Sequence, residues 1–130
     1  MRVPLDRKQT RILVVDDSKS TLIYVSNLLL AQGFGWVETA DSAEQALKVV
    51  RGLDGTHFDL VLLDRYIGDD SGIDVLKKIR SFDKEVVIIM ITQEDSSPKV
   101  MEAIAAGAND YIVKPFNEET VGHKLSKFVI

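Results

Sequence analysis

The chain has 130 residues, enough for one domain with its own core and too few for two. With 45% hydrophobic and 28% charged residues it has a globular composition, and a net charge of −4 disfavours general binding to nucleic acid. There is no cysteine, which excludes disulfides and thiolate metal sites, and no apolar run reaches the roughly 18–20 residues that span a bilayer.

Residues 1–10 are polar and are expected to form a flexible N-terminal segment, with the domain proper over 11–130. The segment has no apolar stretch of the secretory type, so the expected location is the cytoplasm. Arg11–Asp17, RILVVDD, reads as a first strand of branched apolar residues running into two carboxylates. Ser18 is a suitable N-cap for a helix carrying Leu22, Val25, Leu28 and Leu29 at helical spacing, which Gly33 stops. Trp36–Ala40 is a short second strand, and Ala43, Ala46, Leu47 and Val50 mark a second helix ending near Gly52 and Gly55. Phe58–Asp64 is the third strand. Within it, Leu60–Asp64 (LVLLD) has the unbroken apolar character of a strand covered on both faces.

The stretch Arg65–Ser71 reads as a loop, with Asp69 and Asp70 in solvent. Ile73, Leu76, Ile79 and Phe82 give a third helix, and Glu85–Thr92 a very apolar fourth strand. Val100, Met101, Ile104 and Ala105 predict the buried stripe of a fourth helix with Gly107 as C-cap, and Met90 and Met101 read as core filler. Asp110–Lys114 is a fifth strand; Val121, Leu125, Phe128 and Val129 line a fifth helix. His57 and His123 have no matching ligands and are expected to face solvent.

Strands alternating with helices imply an α/β fold: one five-stranded parallel sheet, order 2-1-3-4-5, with five helices on both faces, flavodoxin-like. That order brings Asp16, Asp17, Asp64, Thr92 and Lys114 to one carboxyl edge, where such sheets bind ligands. Three clustered carboxylates repel unless a cation sits among them, and an oxygen-only set suits Mg2+. A carboxylate beside such an ion can attack phosphorus, with Lys114 and the Thr92 hydroxyl available to the phosphoryl oxygens. A general base and a glycine-rich nucleotide cradle are both missing from the set.

The motifs VVDDS at Val14–Ser18, LLD at Leu62–Asp64, IT at Ile91–Thr92, GAND at Gly107–Asp110 and YIVKPF at Tyr111–Phe116 stand in order across nearly the whole chain. In this the sequence resembles the receiver domain of two-component response regulators, the chemotaxis regulators included. The resemblance implies that Asp64 is the phosphoacceptor, and that Asp17 and Asp64 ligate Mg2+ with help from Asp16 and the Tyr66 backbone carbonyl. It further implies that Lys114 contacts the phosphoryl group, that the Lys114–Pro115 bond is cis, and that Thr92 and Tyr111 form a switch pair. The implied partners are a histidine kinase or phosphotransfer protein, and downstream a protein target or a fused output domain. The switched surface would be helix four, strand five and helix five. The domain would be no enzyme in the ordinary sense, catalysing only its own phosphoryl transfer and dephosphorylation.

Some positions depart from the family pattern. Gly68 stands where proline is frequent, and Tyr66, Gln93 and Glu94 are large or polar residues at the mouth of the implied site. They could restrict or order an attacking water. Two competing readings are a receiver detached from a longer regulator and a Mg2+-dependent phosphatase of the haloacid-dehalogenase type. The second needs Asp-x-Asp after strand one, whereas Asp16 and Asp17 are adjacent. A flavin carrier of the same fold is disfavoured by the acidic DDSKS loop, where a phosphate cradle would have to be.

Overall fold

The computed structural model describes residues 6–52, 55, 57–93 and 96–129. Short runs of branched apolar residues form β1 (Arg11–Val15), β2 (Trp36–Ala40) and β3 (Leu60–Asp64). A two-stranded ribbon, β4 (Tyr66–Ile67) and β5 (Asp70–Ser71), follows, and then β6 (Val87–Thr92) and β7 (Asp110–Val113). The helices are α1 (Lys19–Ala31), α2 (Ala43–Val50), α3 (Gly72–Phe82), α4 (Ser97–Ala106) and α5 (Glu118–Leu125). The main sheet is parallel with order β2-β1-β3-β6-β7, the predicted order once the ribbon is set apart.

Period-two alternation along each strand divides the core between the two faces. Leu13, Val15, Val61, Leu63, Ile88 and Met90 pack on one face against α2 and α3 and against Ala103 of α4. Ile12, Val14, Leu60, Leu62, Ile89 and Ile91 pack on the other against α1 and α5. All five residues of β3 are buried, as expected of a central parallel strand. Ser18, Ser42 and Asn117 cap α1, α2 and α5 by accepting from the backbone N–H three residues on.

The structure corrects four expectations. Asp16 and Asp17 lie beyond β1 rather than inside it, and β6 begins at Val87 rather than Glu85. Of the segment predicted to be flexible, residues 6–10 are packed in part: Thr10 is buried and Arg7 donates to the Gln32 carbonyl and stacks on Phe34, while Asp6, Lys8 and Gln9 are exposed. The stretch after Asp64 contains the ribbon, whose turn begins at Gly68 with φ +61, as in a type II′ hairpin.

The fourth correction concerns α4. It buries Ala103 and leaves Met101 68% and Ile104 45% exposed, so Met101 is not core filler although Met90 is. Ala103 and Ala106 let this face of α4 join the core without bulk. Gly107 ends the helix in the left-handed region, as predicted, and both histidines are exposed.

Candidate functional site

Each strand of a parallel sheet ends at the same edge, and here those ends carry the polar residues. Asp16 follows β1 directly and is 2% exposed. Its N–H donates to the Ala40 carbonyl at 3.1 Å, and its Oδ1 accepts from the Ser18 N–H at 2.8 Å. The same Ser18 caps α1, so the carboxylate is fixed to the start of that helix. Asp64 is the last residue of β3, next to β1 in the sheet. Its Oδ1 accepts from the Tyr66 N–H at 3.1 Å.

Lys114 follows β7, two strands away, and its length spans the gap. Its N–H donates to the Thr92 carbonyl at 2.8 Å, which fixes its backbone to the end of β6. Its Nζ donates to Asp64 Oδ2 at 2.9 Å and stands 3.7 Å from Asp16 Oδ2. The Lys114–Pro115 peptide is cis.

The electrostatics describe an acid pair that is short of positive charge. Burial first, and then hydrogen bonding with Asp64, push the Asp16 carboxyl up to about 6; the Ser18 N–H and Lys114 oppose the rise. Burial alone would lower the Lys114 ammonium, but the hydrogen bond to Asp64 and the charges of Asp64, Asp16 and Asp17 hold it above the usual lysine range. Asp16 Oδ2 is buried and makes no hydrogen bond. Such an atom is costly to leave unsatisfied.

A cavity of about 260 Å³ lies over these groups, lined by Asp16, Asp17, Ser18, Thr21, Asp64, Tyr66, Gln93 and Lys114. Asp17 is exposed at its rim. Among the described residues no three acidic or histidine side chains form a ready metal cage. The donors that do converge are all oxygens, and one is the unsatisfied Oδ2. That set fits a hard divalent ion that keeps several of its own waters.

Of the residues singled out in the sequence, Asp16, Asp17, Asp64, Tyr66, Gln93 and Lys114 meet at this cavity. Thr92 and Tyr111 do not line it. Thr92 is buried at the end of β6 beside Val113. Tyr111 is half-buried against the core, with the Lys124 ammonium 4.5 Å over its ring. Glu94 lies outside the described residues. Sequence reading missed Thr21 as a lining residue; its one signal was its place three residues after the Ser18 cap. It also missed Arg65, which is buried just after Asp64.

The response regulator receiver domain model matches residues 12–126. Chemotaxis protein CheY-3 of Vibrio cholerae is 39% identical over 122 residues, covering 92% of each chain. The DNA-binding response regulator MtrA of Mycolicibacterium smegmatis is 38% identical over 112 residues, covering 86% of this chain and 47% of MtrA. The solved structure of V. cholerae CheY4 superposes with a TM-score of 0.83 at 34% identity, covering 92% of this chain and 98% of that one.

Proposed function

Because this chain belongs to the response regulator receiver domain family of two-component signalling, we propose that it works as a phosphoacceptor switch with Asp64 as the acceptor. The observation that carries this reading is the Lys114 ammonium on Asp64 Oδ2, beside the unsatisfied Oδ2 of Asp16. A carboxylate, a lysine ammonium and a second, buried carboxylate oxygen without a hydrogen bond stand together at one sheet edge.

In this reading a phosphohistidine on a kinase or phosphotransfer protein is the donor. A carboxylate oxygen of Asp64 attacks phosphorus, a P–O bond forms, and the P–N bond to the donor breaks. Asp16, Asp17, Asp64 and the Tyr66 carbonyl would hold Mg2+, which when bound neutralises charge on the transferring group. The Tyr66 N–H keeps the Asp64 carboxylate oriented, and Lys114 is free to follow the added charge from carboxylate to phosphoryl oxygen. Tyr66 and Gln93, both exposed at the mouth, limit how water reaches the acyl phosphate. The domain's only chemistry is thus on itself.

Thr92 and Tyr111 would relay the change. A phosphoryl oxygen is an acceptor that exists in one state only, so a Thr92 hydroxyl that turns to it biases the equilibrium. The responding face is α4, β7 and α5, where Met101 and Ile104 are exposed for a protein target or a fused output domain. No described helix is long and apolar enough to cross a membrane, and we place the switch in the cytoplasm.

Intact-mass measurement after incubation with acetyl phosphate and Mg2+ tests this. Gain of one phosphoryl group supports the proposal, and an unchanged mass refutes it.

A further inference from the structure

Arg65 directly follows Asp64, yet its side chain is only 5% exposed. Its backbone is held on both sides: the N–H donates to the Ile91 carbonyl at 2.9 Å, and the carbonyl accepts from the Gly72 N–H at 2.6 Å. Its guanidinium reaches α4, pairing through Nη2 with the Glu102 carboxylate and through Nη1 with the Lys99 carbonyl at 3.4 Å. One residue therefore bonds to the end of β6, the start of α3 and the middle of α4.

The helix it reaches is otherwise held by small side chains, Ala103 and Ala106, and by Arg80 Nε donating to the Gly107 carbonyl at 2.9 Å just past its end. Ala103 is the one residue of α4 that is fully buried, and Met101 and Ile104 face solvent. A buried guanidinium cannot exchange its partner for water without a large penalty. When the Asp64 backbone or the end of β6 shifts, α4 must follow the fork or lose it.

We propose that Arg65 is a positioning residue that couples the Asp64 site to α4. The fork on Glu102 and Lys99 sets where α4 sits and carries changes at Asp64 to it. The inference rests on the reading of Asp64 as phosphoacceptor and names the route by which that site is read out. The planar fork serves two acceptors at once, which a lysine ammonium does not do in the same geometry.

The test is amide hydrogen exchange over residues 97–106, with and without acetyl phosphate and Mg2+, and with phosphoryl uptake followed by mass. The proteins are wild type, Arg65→Met, Glu102→Ala and the double variant. In wild type, uptake should change α4 exchange. In Arg65→Met, α4 should exchange about tenfold faster without phosphodonor. It should no longer respond to uptake, although uptake itself continues at the wild-type rate. The double variant should be no worse than Arg65→Met alone, because that change already removes the Glu102 contact. Should Arg65→Met not fold, Glu102→Ala at its half-exposed position should show the same loss of response.

A merely structural role for Arg65 would loosen α4 yet leave its response to uptake intact, and that result overturns the proposal. So would wild-type exchange in Arg65→Met, or additive effects in the double variant. Absence of uptake by the wild type is a different failure, that of the acceptor reading, and the mass measurement identifies it separately.

Discussion

Lys114 and Asp64 are 50 positions apart in the chain, and their side chains meet at 2.9 Å across the carboxyl edge of the sheet. The contact works because each partner is fixed from behind: Asp64 by the Tyr66 N–H, and Lys114 by its own N–H on the Thr92 carbonyl. It places a transferable positive charge on the candidate acceptor.

Lys114→Ala removes that charge without touching an oxygen donor. Mg2+ affinity, read by calorimetry, should be retained or rise, since one competing cation is gone. The ligand-free protein should lose about 1–2 kcal/mol at neutral pH, because two mostly buried carboxylates are left unpaired. Phosphoryl uptake should persist while the amide shifts of α4, β7 and α5 stop responding to it. A normal response of that face would deny Lys114 its role.

The Asp16 carboxyl is raised from 3.8 to about 6, so between those values the folded protein binds more protons than the unfolded chain. This group's contribution is fully present below 3.8 and is lost as pH rises through about 6. Mg2+ should therefore raise the Tm more at about pH 7.5 than at about pH 5, and Asp16→Asn should flatten the difference. Asp110 runs the other way. Burial would raise it, but hydrogen bonds from Lys124, the Tyr111 N–H and Lys127 outweigh burial and lower it. Its contribution is present above 3.8 and disappears as pH falls through its depressed value. Thermal melts across this range, with and without Mg2+, check both signs.

Gly72 opens α3 against the strand that carries Asp64. A Cβ there would collide with the Asp64 carbonyl and come within 2.9 Å of Arg65 Cα, and both are backbone atoms that cannot swing aside. Gly72→Ala should cost about 3 kcal/mol and displace the Asp64 carboxylate. A melt within a degree or two of wild type, with unchanged phosphoryl uptake, would contradict this.

Much of this architecture was legible in the sequence where burial is two-sided. LVLLD reads as a central strand, and it occupies Leu60–Asp64 as expected. The convergence of Asp16, Asp17, Asp64 and Lys114 followed from strand order alone. Three features were not legible. Apolar spacing selected Met101 and Ile104 as the inner face of α4, whereas small Ala103 is what packs. Strands of two residues, Tyr66–Ile67 and Asp70–Ser71, are too short to show a period. Arg65 carried no signal of its own, because its partner Glu102 lies 37 positions on.

The most direct measurement compares wild type with Asp64→Asn after acetyl phosphate and Mg2+, reading the mass of the peptide that carries residue 64. The wild-type peptide should gain one phosphoryl group that hydroxylamine removes, and the variant peptide should gain none. Equal labelling of the variant, or a label on another peptide that resists hydroxylamine, would contradict the account.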